Sequence, residues 1–176
     1  LAMKLSGLPF REVMVPLAGV TPNPAYDFSP GGTVPCLHDG DVVVWDSLAI
    51  AEYLAESFPE KHLWPPDRAA RAEARAISAE MHSGFSALRT VWPMNFSRQG
   101  MRHIRPDAVR ADIARIADIW EGARTRHGTG GPFLFGQFSI ADAMYAPVVS
   151  RFITYGPVSL PPHAARITVA TRIAAR

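Results

Sequence analysis

The spacing of apolar positions changes partway along this chain. Up to about residue 60, short apolar runs alternate with amphipathic ones, and from about residue 67 the spacing is that of helices with short breaks. This pattern predicts an α+β chain in which a small α/β unit is followed by an all-α unit. The stretch FPEKHLWPPD, residues 58–67, carries three prolines and is expected to be a stiff, non-helical joint. The expected domains are therefore residues 1–60 and 67–176.

LAMKLSGLP reads as the end of a helix, with Leu1 and Leu5 on one face, Lys4 in the last turn, Gly7 at the left-handed stop and Pro9 beyond it. A helix that short lies far below the roughly 12 to 15 residues needed for marginal stability. Residues before Leu1 are therefore expected to be missing from this chain, and the chain alone to be poorly soluble or partly unfolded. FREVMVPL alternates Phe10, Glu12 and Met14 with Arg11, Val13 and Val15 and predicts a strand ended by Pro16. A turn-rich excursion follows. VPCLHDGDVVVW predicts two strands around a turn at Asp39 and Gly40. A helix from Ser47 to about Ser57 places Leu48, Ala51, Leu54, Ala55 and Phe58 on one face.

In the second region Ile77, Met81, Phe85, Leu88 and Trp92 mark one face of a long helix that carries Arg68, Arg71, Glu73 and Arg75 on its other side. A second helix starts at Pro106, with Asp107 in its first turn and Val109, Ile113, Ile116 and Trp120 inward. FSIADAMYAPVV opens a third, where Ser139 and Asp142 have capping-box spacing and Phe138 stands where a hydrophobic staple begins, with Ala143 as a small partner. From Ile140 to Ile153 it is apolar nearly all round and is expected to be the buried central helix, bent or left one hydrogen bond short by Pro147.

Composition narrows the function. The 176 residues are 48% hydrophobic and 19% charged, with a net charge of +2, ordinary values for a globular protein. The basic residues are scattered, with neither charge runs nor interleaved aromatics, which argues against a nucleic-acid partner. No run approaches the roughly 18 apolar residues of a membrane span, so no membrane role is expected and the expected location is the cytoplasm. One cysteine, Cys36, excludes an internal disulfide framework. Its alternatives are a packed small hydrophobe or a reactive thiol. The six histidines are dispersed without ligand spacing, so no metal is assigned.

In TVPCLHDGDVVVWDSLAIAEYL, residues 33–54, Pro35 falls inside an apolar strand. Proline has no N–H to give a ladder, which leaves an edge position, a bulge or a cis Val34–Pro35 bond. Asp46 and Ser47 open the next helix, where Asp46 is a helix cap or an acceptor for a ligand's cation.

The pair TVPCL and WDSLAIAEYL, the element order and the later FSIADAMYAPVV resemble the glutathione transferase superfamily over residues 1 to about 155. EMHSGF and GPFLFG are similar to bacterial members near the zeta class, the maleylacetoacetate isomerase-like group. The resemblance implies a thioredoxin-like N-terminal domain, its first strand missing here, then a helical domain. It implies glutathione as co-substrate, held by Val34, Pro35, Asp46 and Ser47, and a hydrophobic small-molecule electrophile bound between the domains. It also implies a homodimer, which the Arg-bearing face of the long helix would serve.

Glutathione's γ-glutamyl end carries a carboxylate and an ammonium. A helix N-terminus with the Ser47 hydroxyl suits the carboxylate, and Asp46 suits the ammonium. A cis Val34–Pro35 turn would offer the Val34 N–H and C=O to the cysteinyl peptide unit like a strand. Thr33 stands where many members carry Lys or Gln, and the family's catalytic Ser, Tyr or Cys falls upstream of Leu1, so no catalytic residue is assigned here and no thiol-transfer activity is expected of this chain alone. Met81 and Phe85 either line the electrophile pocket or pack the core, and His82 and Arg89, one residue off that face, either reach a polar substrate or are solvated. The alternative to an enzyme is a catalytically silent binding or interaction module of the same fold. The tail from Pro161 matches no part of the resemblance.

Overall fold

The computed structural model describes residues 1–15, 24–95, 98, 100–101, 106–156 and 158. The expected tail, and the predicted strand end at Pro16, lie outside the described residues. Two compact units divide the chain, Ala2–Leu63 and a second comprising Leu1 with Trp64–Arg176.

The first unit opens with α1, Ala2–Ser6. Gly7 has φ +68, and the Leu8 N–H donates to the Met3 carbonyl at 3.1 Å while the Gly7 N–H donates to the Lys4 carbonyl at 3.4 Å. These are the paired bonds of a Schellman stop, so the predicted helix end is present. The predicted strand at residues 10–15 is not: none of these residues pairs in a ladder, and Phe10, Val13 and Met14 are exposed. Alternation selects a face only where a partner strand accepts the backbone groups, and among the described residues none lies beside it. The excursion contains a 3₁₀ turn at Pro24–Asp27.

β1, Cys36–Asp39, and β2, Val42–Trp45, form an antiparallel pair in register Cys36↔Trp45 to Asp39↔Val42. The loop between them is Gly40–Asp41, one residue later than predicted, with φ +59 at Gly40. α2, Ser47–Ser57, packs on both strands. Its buried face is Ile50, Ala51 and Leu54, whereas Leu48 and Ala55 are half-buried, because the hairpin meets only a narrow stripe of the helix. Tyr53 donates its hydroxyl to Asp39 Oδ2 at 2.9 Å, tying α2 to the hairpin tip.

The predicted long helix of the second unit is broken. α3, Arg68–Ser83, ends at Gly84, and α4 spans Ser86–Val91. Phe85 between them is left-handed, φ 57. The predicted apolar face nevertheless continues across the break, since Ile77, Met81, Phe85, Leu88 and Trp92 are all buried. The new helix start is capped from elsewhere: Asp112 Oδ2 accepts the Leu88 N–H at 2.8 Å. Arg89 donates to the His82 carbonyl at 3.0 Å and so splints the end of α3.

Asp112 belongs to α5, Asp107–His127, whose buried residues include Val109, Ile116 and Trp120 as expected, with Ile113 half-buried. Arg115 makes a two-pronged ion pair with Glu80, 2.7 and 2.8 Å, and Arg126 pairs likewise with Glu73. Exposed pairs of this kind are individually worth about 0 to 1 kcal/mol. On the polar side of α3, Arg71 donates to the Pro65 and Pro66 carbonyls and Arg75 lies over the Trp64 ring at 5.6 Å, so both are turned onto the joint.

α6, Ile140–Tyr155, is buried on nearly every side and runs through Pro147. Proline deprives the Ala143 carbonyl of its usual helical donor. Near the far end, Arg151 Nε donates to the Trp92 carbonyl at 2.8 Å, Thr154 Oγ1 to the Asn95 carbonyl at 2.7 Å and Tyr155 OH to the Pro93 carbonyl at 2.8 Å. These bonds pin the segment that leaves α4. At the other end the Asp142 carboxylate is 1% exposed and accepts the Ser139 N–H, the Ser139 hydroxyl and the Leu134 N–H at 2.9 to 3.0 Å. Phe138 meets Phe133 edge to face, centroids 5.5 Å apart, so its aromatic partner lies in the loop before α6, where a ring offers more area than Ala143.

Candidate functional site

The open end of the hairpin, opposite Gly40–Asp41, brings two sequence segments together. Cys36 pairs with Trp45, so Val34–Pro35 and Asp46–Ser47 extend from the last paired residues on the same side. β1 starts after Pro35, and the proline therefore owes the ladder no hydrogen bond. The Val34–Pro35 peptide is cis. Val34 is 50% exposed, and among the described residues nothing pairs with its N–H or C=O.

Asp46 is the N-cap of α2. Its Oδ1 accepts the Leu48 N–H at 2.8 Å and the Ala49 N–H at 3.2 Å, and its carbonyl accepts the Ile50 N–H at 3.0 Å. The cap reading is thus present in the geometry, and two of the helix-end donors are taken up by it. The donors left at this terminus are the N–H and hydroxyl of Ser47, which bond no described residue. Asp46 also holds φ 77 with ψ 132, a conformation that costs a non-glycine residue about 1 to 3 kcal/mol and that clusters at ligand-binding positions.

Cys36 is half-buried. Its Sγ lies 3.5 Å from the Phe28 carbonyl and 3.7 Å from His38 Nε2, which lies 2.9 Å from the same carbonyl. Met81 and Phe85 are buried in the all-α unit, Phe85 with its ring centroid 6.5 Å from that of Tyr145. Burial raises the Tyr145 hydroxyl well above its ordinary range. His82 is half-buried and Arg89 serves the α3–α4 break. Among the described residues no group of three or more His, Cys, Asp or Glu could hold a metal ion, and no helix is long and apolar enough to cross a membrane.

Residues that sequence reasoning missed are the aromatics behind this end of the hairpin. Tyr26 and Trp45 pack on Gly31 and Gly32. The GG pair in SPGGTVP was the available signal.

The architecture is thus a hairpin-and-helix unit followed by an all-α unit. Residues 1–57 match the family described as glutathione S-transferase, N-terminal domain, and residues 68–167 match glutathione S-transferase, C-terminal domain. The chain belongs to the glutathione S-transferase family, with a thioredoxin-like N-terminal domain and a helical C-terminal domain, and its affinities are zeta-like. Glutathione S-transferase Z1 of Arabidopsis thaliana is 26% identical over 171 residues, 93% of this chain and 75% of that protein. A crystal structure of a glutathione transferase homolog from Burkholderia, with bound glutathione, is 25% identical with TM-score 0.69 and covers 97% of this chain and 80% of that one. A maleylacetoacetate isomerase from Methylobacterium extorquens, with bound malonate and glutathione, shares the fold at TM-score 0.62 and 24% identity, over 99% of this chain and 87% of that one.

Proposed function

We propose that this protein is a glutathione-dependent transferase or isomerase acting on an apolar electrophile. The observation that carries the reading is the shared open end of the hairpin. It sets an outward, unpaired Val34 peptide beside a helix start whose remaining donors belong to Ser47. The Ser47 hydroxyl and N–H take the γ-glutamyl carboxylate, aided by the positive end of α2. Asp46 takes the ammonium, and Val34 pairs with the cysteinyl peptide unit.

Held so, the thiol faces the electrophile and attacks after its proton is lost to solvent, because the thiolate is the nucleophilic form. A sulfur–carbon bond forms and either a leaving group departs with its electron pair or, in isomerisation, the thiolate is expelled again after bond rotation. Lowering the thiol pKa by about 2 units corresponds to about 2.7 kcal/mol of differential stabilisation. No residue numbered here is assigned as the donor to sulfur.

Calorimetric titration with glutathione tests the site. Ser47→Ala should weaken binding by about 1 to 3 kcal/mol, the range for leaving a charged partner one hydrogen bond short. Unchanged affinity would reduce Ser47 to the first residue of a helix. A homodimer is proposed on family membership alone, because Arg71 and Arg75 are engaged within their own unit. Sedimentation at micromolar concentration should give twice the chain mass, and a monomer would remove the proposal.

A further inference from the structure

Two consecutive glycines precede the Val34 peptide, and each has an aromatic ring where a side chain would stand. A Cβ at Gly31 would lie 2.9 Å from Trp45 Cδ1 and 3.2 Å from its Nε1. Gly31 does not have a positive φ, so the requirement there is close approach rather than backbone freedom. At Gly32, φ +59, a Cβ would lie 2.5 Å from Tyr26 Cε1 and Cζ, so both reasons apply. The turn is closed further by the Gly32 N–H on the Ser29 carbonyl at 2.9 Å, and Ser29 is in turn bonded to the Ala25 carbonyl at 2.8 Å. A segment rich in glycine and proline is therefore braced from Ala25 to Gly32.

Trp45 has a particular place in this brace. It is the last residue of β2, paired with Cys36, and Asp46 follows it directly. Its side chain is 44% exposed, yet it is seated on Gly31. It touches the turn that carries Val34 and is covalently joined to the helix start that carries Asp46 and Ser47. One rigid indole thus bridges the two halves of the open end.

We propose that Trp45, seated on Gly31, is a positioning residue for glutathione that sets the spacing between the Val34 peptide and the Asp46–Ser47 helix start. The proposal rests on the functional reading above. A tripeptide anchored at its γ-glutamyl end and at its cysteinyl peptide unit gains from such spacing because the second contact then forms without reordering the protein. If the indole is lost, the turn relaxes and the two anchors cease to be matched, although each still exists.

The experiment is a double-mutant cycle read by calorimetry with glutathione, with thermal melts of each variant. Trp45→Ala should weaken binding about tenfold in the parent background and hardly at all in Ser47→Ala, where only one anchor remains to be placed; coupling of that size is usual for residues acting as a unit. Trp45→Phe should recover part of the affinity. Gly31→Ala leaves the tryptophan in the chain but intrudes on its seat, and it should reproduce the Trp45→Ala loss and the same non-additivity. It carries the test if Trp45→Ala fails to fold. Undiminished binding by Gly31→Ala and Trp45→Ala, or an equal loss in both backgrounds, would overturn the positioning role while leaving the glutathione reading intact. A parent protein that binds no glutathione overturns that reading, and this proposal with it.

Discussion

Asp142→Ala is expected to be strongly destabilising. The carboxylate is 1% exposed and is the acceptor for two backbone donors, the Leu134 and Ser139 N–H groups, at 2.9 Å each. Alanine leaves both buried and unpaired, at a cost of about 1 to 3 kcal/mol each. Their sum, about 2 to 6 kcal/mol, is comparable with the whole stability of many domains. Chemical denaturation should show a large fall in midpoint or no cooperative transition at all, and a loss below about 1 kcal/mol would mean that water replaces the carboxylate.

The same group makes stability depend on pH. Burial, the dominant cause, raises the Asp142 pKa from 3.8 to about 6 against the opposing hydrogen bonds from Leu134 and Ser139. The folded state then holds a proton that the unfolded chain has released. The contribution is fully present below about pH 4 and is lost as pH rises through about 6, by an amount on the order of 3 kcal/mol. Asp142→Asn keeps one oxygen as acceptor and should flatten this dependence in denaturation midpoints measured from pH 4 to 7.

Asp46→Asn should separate the two roles of Asp46. Asparagine retains a side-chain oxygen for the Leu48 and Ala49 N–H groups and is among the best N-cap residues. Stability should therefore change by less than about 0.5 kcal/mol. Binding of glutathione should weaken by about 1.5 to 3 kcal/mol, because the acceptor facing the ammonium loses its charge. An unchanged binding constant would assign Asp46 to the helix alone.

Much of this protein is legible in local pattern, because many of its elements are specified by groups only a few residues apart. The stop at Gly7, the start of α2 at Ser47, the capping spacing of Ser139 and Asp142 and the buried period of α6 all follow from interactions within one or two turns. The cis Val34–Pro35 peptide was among the forms allowed by a proline in an apolar run. Other features depend on groups that local pattern does not connect. Residues 10–15 alternate correctly but have no ladder partner among the described residues, and alternation without one does not make a strand. The apolar stripe from Ile77 to Trp92 is continuous, yet the helix breaks at Gly84 and Phe85, where Asp112, 24 residues beyond Leu88, caps the restart. Trp45 reads as one more apolar strand residue until its ring is found on Gly31. Local sequence determined where α1 ends, where α2 and α6 begin and which helix faces are buried, because capping and periodic burial act over a few residues. Only the tertiary structure decided which backbone groups at this hairpin are left unpaired and what braces them, because that depends on partners far apart in sequence.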